Sequence, residues 1–199
     1  SLHDALPICD MEKIMQIADE HNIKVVEDAC QADGGSYKGK RLGSIGHAGT
    51  FSFNYFKIIS AGEGGAIVTN DRKIYERALI YHDVGAPFWT YNKDEYSEPL
   101  FIGAQYRVSE VTGAILRVQL NRLDGILKDL RHVKQSFIKG LNDVNNLAYV
   151  KSNDAEGDCA STLGFIFDDG IKARKFASSQ GVDGWLPIDT DRHVYCNWE

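Results

Sequence analysis

Two stretches of the chain place reactive side chains where chemistry could be done. In Phe51-Ser52-Phe53-Asn54-Tyr55-Phe56-Lys57-Ile58-Ile59 a single lysine stands among aromatic and aliphatic neighbours. Burial disfavours an ammonium, so a lysine held there becomes available as a nucleophile or a carbonyl-condensing amine. A plainer role also fits, with the stem buried and the head in water. In Val25-Val26-Glu27-Asp28-Ala29-Cys30-Gln31 an apolar run ends on an acid, and the two-residue strand period puts the Asp28 and Cys30 side chains on one face. Ligands collect at such strand ends in open α/β sheets. An aspartate capping the next turn or helix is the competing reading.

Ala61-Gly62-Glu63-Gly64-Gly65 follows the lysine and leads into another β-prone run, so Lys57 lies on an irregular, glycine-rich connection between strands. Backbone can approach a ligand closely on such a segment. The glycine spacing matches neither a dinucleotide-binding GxGxxG nor a phosphate loop GxxxxGK[ST], which argues against a dehydrogenase or a nucleotide triphosphatase.

The elements that must position these residues alternate in type. Met11, Ile14, Met15, Ile17 and Ala18 recur at helical spacing behind Asp10 as N-cap, followed by an apolar strand at Ile23 to Val26. Strands are predicted at Thr50 to Asn54 and at Ala66 to Thr69, then a helix from Asp71 to about Tyr81 capped by Asn70. Val111, Ile115, Val118, Leu123, Ile126, Leu127, Leu130, Val133 and Phe137 sustain a helical period from Ser109 to about Leu141, with a bend expected near Gly125. A strand at Thr162 to Phe167 and a helix from Lys172 to Gln180, closed by Gly181, open a second α/β unit. The interleaving predicts an α/β architecture.

Composition closes off other classes. A net charge of -6 gives no footprint for nucleic acid. No apolar stretch has the length to span a bilayer, and the N-terminus lacks a signal-peptide pattern, so no membrane partner is expected. Cys9, Cys30, Cys159 and Cys196 are widely spaced and form no metal-binding pattern, which fits a reducing, cytoplasmic setting and no metal. His47 reads as a turn or surface residue. Ser1 to Ile8 shows no periodicity and reads as a non-native leader.

In order along the chain, Glu27-Asp28-Ala29-Cys30-Gln31-Ala32, Tyr37-Lys38-Gly39, Phe51-Ser52-Phe53 with Lys57, Gly62-Glu63-Gly64-Gly65, Val68-Thr69-Asn70-Asp71, Tyr106-Arg107-Val108-Ser109-Glu110 and Gln119-Leu120 resemble the DegT/StrS-type sugar aminotransferases. Fainter likeness continues through His193-Val194-Tyr195 and Asn197-Trp198. No single motif is decisive; the ordered set is specific.

The resemblance implies the pyridoxal 5'-phosphate (PLP) cofactor, with Lys57 carrying it through a Schiff base and Asp28 pairing with its pyridine nitrogen. A carboxylate there favours the protonated ring, which acts as electron sink, and a released Lys57 can serve as general base and acid. Gln31 matches a position bonded to the phenolic oxygen, Ser52 one that holds the phosphate, and Cys30 one that packs under the ring. Gln105 stands where asparagine is common and reaches the phosphate of the neighbouring subunit; His47 stands where aspartate is common.

By the same resemblance the fold is part of the large domain of a fold type I PLP-dependent transferase, a mixed, mostly parallel sheet with flanking helices, plus the start of a small C-terminal α/β domain. Residues 9–125 are expected to belong to the first and 126–199 to the connecting helix and the second. The phosphate-cradling loop and the ring-stacking aromatic would fall before residue 9, and the C-terminal domain would continue past Glu199. The implied reaction moves an amino group from an amino acid, commonly glutamate, to a keto-sugar on a nucleotide or to a cyclitol, in a homodimer with sites at the subunit interface. Two alternatives stand beside it: a sugar dehydratase of the same fold, which carries histidine at the lysine position, and a non-catalytic or regulatory protein of that fold.

Overall fold

The computed structural model describes residues 8–85, 96–141, 147–179, 181–182 and 184–190. The expectations for the leader 1–7 and for His193 to Trp198 lie outside the described residues.

Helix α1 (Met11–Glu20) begins where predicted, with the Asp10 carboxylate accepting from the Lys13 amide at 3.3 Å. Ile8, placed in the leader by the sequence, is buried against Met11 and Tyr37, and its carbonyl accepts a hydrogen bond from the Asn153 amide at 2.7 Å.

Strand β1 (Val26–Asp28) pairs in parallel with β4 (Ala48–Ser52), and β4 pairs antiparallel with β5 (Gly65–Val68). The three-stranded sheet, in the order β1-β4-β5, is therefore mixed. Its first strand shares only Val26 with the predicted Ile23 to Val26 and runs on to Asp28, because the ladder partners of Glu27 and Asp28 are Gly49 and Thr50. Between β1 and β4 lies a two-stranded hairpin, β2 (Ser36–Tyr37) and β3 (Lys40–Arg41), turning on Lys38 and Gly39, both at positive φ (49° and 79°). Such a turn matches the twist of the strands it joins.

Helix α2 (Arg72–His82) is capped by Asp71, whose side chain accepts from the Lys73 and Ile74 amides at 2.9 and 3.2 Å, rather than by Asn70. Both residue types cap helices; Asp71 has the extended backbone that aims its oxygen at the first turn. Helix α3 (Glu110–Gly140) starts at Ser109, whose hydroxyl accepts from the Thr112 amide at 3.1 Å, and continues through Gly125 as one element of 31 residues.

A two-stranded sheet of β6 (Ala148–Tyr149) and β7 (Phe165–Ile166), helix α4 (Gly170–Ala177) and a 3₁₀ turn at Pro187–Thr190 complete the described chain. Strand β7 is shorter than Thr162 to Phe167 because its partner strand pairs only two residues. Phe165 and Phe167 both meet Phe176 of α4, with ring centroids 5.0 and 5.3 Å away.

One core cluster joins Ile59, Leu123, Leu127 and Cys159, with Ala32, Phe53, Ile58 and Ile126 packed on it. Of the predicted stripe on α3 only Leu123 and Leu127 are buried; Val111, Ile115, Val118, Val133 and Phe137 stay exposed. Gly34, at φ +80°, lets the chain after β1 settle on that helix, since a Cβ there would come within 2.8 Å of both Leu123 Cδ2 and Leu127 Cδ1.

Candidate active site

The parallel register places Asp28 opposite Thr50, so the C-terminal ends of β1 and β4 lie side by side. Period-two alternation then puts Asp28, Thr50 and Ser52 on one face and Glu27 and Phe51 on the other. On the first face the Cys30 amide donates to Asp28 Oδ1 at 3.2 Å, the Cys30 Sγ lies 3.8 Å from Thr50 Oγ1, and that hydroxyl donates to the Glu27 carbonyl at 3.3 Å. These contacts tie the acid, the thiol and the two strands into one unit.

On the opposite face the buried Glu27 carboxylate accepts from the backbone amides of Gly43, Ile45 and Gly46 at 2.7, 2.5 and 2.6 Å. It moulds the 43–46 turn against the sheet and so fixes the strand whose next residue is Asp28. A Cβ on Gly49, its ladder partner, would collide with the Gly43 backbone, which explains glycine there. His47 is structural in this arrangement: its Nδ1 accepts from the Val25 amide at 3.1 Å and its carbonyl accepts from the Thr69 hydroxyl at 2.6 Å. It links the strand starts and belongs to no metal cluster among the described residues.

Ser52 ends β4 half-buried. Its Oγ accepts from the Asn54 amide at 3.5 Å, the Phe56 amide donates to Asn54 Oδ1 at 3.1 Å, and the Lys57 amide donates to the Asn54 carbonyl at 3.1 Å. These turns fold the chain back so that Lys57 is half-buried beside the strand ends. Farther on, Ala61 donates to the Phe53 carbonyl at 3.0 Å and Gln119 of α3 donates to the Ser60 carbonyl at 3.2 Å, while Ile59 is buried in the core. The loop that carries Lys57 is thereby anchored at both ends and from beneath.

The Lys57 charge acts on Cys30 and on Asp33, two residues of the turn after β1. Burial, reinforced by the Asp28 carboxylate, pushes the Cys30 thiol up, so it stays protonated at neutral pH. Burial pushes Cys159 up to about 11, with Asp158 adding to the shift. Neither thiol is set up as a nucleophile.

Asp28, Cys30, Ser52 and Lys57 thus gather at one end of the sheet, and Gln31 lies exposed on the turn directly after Cys30. Gln105 stands apart from these contacts. It bridges Asp83 at the end of α2, and its side-chain oxygen accepts from the Arg107 amide at 3.0 Å, with Arg107 in turn 3.1 Å from Asp83. Asp33 also belongs to the neighbourhood, as do Glu27 and Gln119, whose contacts the sequence motifs containing them do not reveal. The visible signal for Asp33 was a charge set among the small residues Ala32, Gly34 and Gly35.

The chain itself has counterparts among known proteins. The model of the DegT/DnrJ/EryC1/StrS aminotransferase family matches residues 6–172, and the chain belongs to that family. It is 37% identical over 137 residues to a GDP-perosamine synthase of Escherichia coli O157:H7, covering 68% of this chain and 36% of the relative. It is 40% identical over 139 residues to the dTDP-3-amino-3,6-dideoxy-alpha-D-galactopyranose transaminase of Aneurinibacillus thermoaerophilus, covering 65% and 36%. Among solved structures, a GDP-4-keto-6-deoxymannose-3-dehydratase with a trapped PLP-glutamate geminal diamine superposes with a TM-score of 0.71 at 26% identity, over 82% of this chain and 46% of that one. The chain spans about a third of the length of the curated relatives it matches.

The donor set suits the cofactor named in that structure. An anionic oxygen at Asp28 answers a protonated ring nitrogen, the Ser52 hydroxyl and the Gln31 amide can donate to anionic oxygens, and Lys57 supplies a primary amine held by an ordered loop. The Lys57 charge acts on the Cys30 thiol, and the Cys30 amide donates to Asp28.

Proposed function

We propose that the protein is a PLP-dependent aminotransferase that passes an amino group from an amino acid, glutamate foremost, to a keto-sugar carried on a nucleotide or to a related cyclitol. What supports this reading is Asp28 at the end of β1, laid beside β4 in parallel, with Lys57 on the loop that follows β4 and its charge acting on the neighbouring Cys30. The two sugar-modifying relatives support the substrate class.

In this reading Lys57 Nζ would hold the cofactor through its amine and, when free, would move a proton to and from the substrate carbon. Asp28 keeps the proton on the ring nitrogen. Bound PLP supplies the electron sink. Ser52 would donate to the phosphate, Gln31 to the phenolic oxygen, and Cys30, protonated and compact, would pack against the ring. The dehydratase alternative fits the fold equally well, yet it calls for histidine where this chain has Lys57.

The reading extends to the assembly. Tyr106, Val108, Val111 and Ile115 are exposed and follow closely on Gln105 in the sequence, which supports a homodimer in which this segment faces the partner's site. Gln105 then serves the partner's phosphate. The cytoplasmic setting and the division of the chain near residue 125 belong to the same proposal. No helix among the described residues is long and apolar enough to cross a membrane.

The test is amino transfer from glutamate to nucleotide-linked 4-keto-6-deoxysugars by the full-length protein, followed by mass spectrometry of the sugar product. An amine on the sugar, with 2-oxoglutarate formed in equal amount, is the expected result. Loss of a sugar hydroxyl without amine incorporation would replace this reading with the dehydratase.

A further inference from the structure

Gln119 belongs to a sequence motif to which the reaction proposed above gives no part. It lies half-buried on α3 in helical register with Leu123 and Leu127, so the three side chains share one face of the helix. The two leucines join Ile59 in the core, and the next residue, Ser60, brings its carbonyl to Gln119 Nε2 at 3.2 Å. Consecutive residues of the loop that carries Lys57 thus meet successive turns of one helix face.

Several ties close that loop on itself. The Phe53 carbonyl accepts from the Ala61 amide at 3.0 Å and from the Ser60 hydroxyl at 3.3 Å, and the Phe53 amide donates to the Gly64 carbonyl at 2.8 Å. They fix the neck of the loop and leave its place over the helix to the contacts with α3. Burial of Ile59 is non-directional and tolerates sliding along the leucines. A hydrogen bond has a preferred length and angle, and so selects one position.

The Gln119 amide is itself aimed. Arg122 Nη1 donates to Gln119 Oε1 at 3.0 Å, and because a guanidinium only donates, the carbonyl end of the amide faces Arg122 and the donor end faces the loop. Leu123 and Leu127 also receive Gly34 from the turn after β1, so one helix face aligns the chain that follows Asp28 with the chain that follows Lys57.

We propose that Gln119, oriented by Arg122, is a positioning residue for Lys57: its hydrogen bond to Ser60 holds the lysine loop at one place on α3 and so sets where the amine stands when it meets a carbonyl. The inference rests on reading Lys57 as the cofactor-carrying residue. Without the bond the neck stays closed and Ile59 stays buried, but the amine samples a wider volume and reaches the productive geometry less often.

The test uses full-length protein stripped of PLP, as wild type, Gln119→Leu, Arg122→Ala and the double variant. PLP is added, samples are quenched with borohydride at intervals, and the label on the Lys57 peptide is measured by mass spectrometry. Hydrogen exchange of residues 55–62 is followed in the PLP-free proteins. Gln119→Leu should slow labelling about fivefold and speed exchange of that segment by a similar factor, with exchange in α1 unchanged. Arg122→Ala should act in the same direction, less strongly, and should add nothing in the double variant, because it works through Gln119. Loss of stability alone would lower the unfolding midpoint and leave the labelling rate of the folded protein as it is. Labelling at the wild-type rate in Gln119→Leu overturns the proposal, as do slower labelling without faster loop exchange and additive effects of the two substitutions. Should Gln119→Leu not fold, Arg122→Ala, changed at an exposed site, carries the test, and wild-type rates there overturn the proposal. PLP trapped on another lysine of the wild type removes the reading of the site, whereas PLP on Lys57 at equal rates in wild type and variants removes only the role of Gln119.

Discussion

Asp28 faces Thr50 across the parallel pair of β1 and β4, and this register sets the geometry of the site. Two residues past Thr50 the strand ends at Ser52, and the loop that follows returns Lys57 to the neighbourhood of Cys30, which is bonded to Asp28. A one-residue slip would send Asp28 to the face where Glu27 now serves the 43–46 turn.

Asp28→Asn should retain some PLP and lose most of the transamination rate, because an amide cannot hold the ring nitrogen protonated. Steady-state assay with glutamate beside cofactor absorbance separates the two effects. A rate within a few-fold of wild type would remove Asp28 from its role.

Glu27→Ala should destabilise the fold by on the order of 3 kcal/mol, since the amides of Gly43, Ile45 and Gly46 would lose a shared, charge-assisted acceptor. Urea unfolding with unchanged slope would read this directly. Stability equal to wild type would show that water replaces the carboxylate without cost.

Asp33→Leu should stabilise the protein in a pH-dependent way. The folded carboxyl is raised from the usual 3.8 to about 6, so between these values the native state binds more protons than the unfolded chain and stability falls as pH rises. The gap of about two pH units, at about 1.4 kcal/mol each, makes ionised Asp33 cost roughly 3 kcal/mol above pH 6 and nothing below pH 4. Thermal melts of the variant should therefore exceed wild type more at pH 8 than at pH 4. An equal difference at both values would mean that Asp33 is not ionised in the folded state at pH 8.

Much of this site could be read in the sequence. Asp28 and Lys57 announce themselves by type and setting, an acid ending an apolar run and a lysine among aromatics before a glycine-rich turn. The helix behind Asp10 followed from capping chemistry and period, and the helix from Ser109 from period alone. Asn70 and Asp71 are both good caps, and only the backbone conformation chose between them. The β2-β3 hairpin escaped because two-residue strands carry no alternation to detect. Asp33 and Glu27 escaped for another reason: their importance lies in burial and in contacts with residues 10 or more positions away, which spacing along the chain does not encode. The long apolar stripe on α3 is largely exposed in this chain, so its period reported helix formation and not packing.

The account turns on Lys57 as the point of covalent attachment. Full-length protein loaded with PLP, reduced with borohydride, digested and analysed by mass spectrometry should carry the reduced phosphopyridoxyl group on the peptide containing Lys57. Lys57→Arg, which keeps the charge but cannot make the bond, should carry none and transfer no amine. PLP fixed to a different lysine, or Lys57→Arg aminating a keto-sugar at the wild-type rate, would contradict the account.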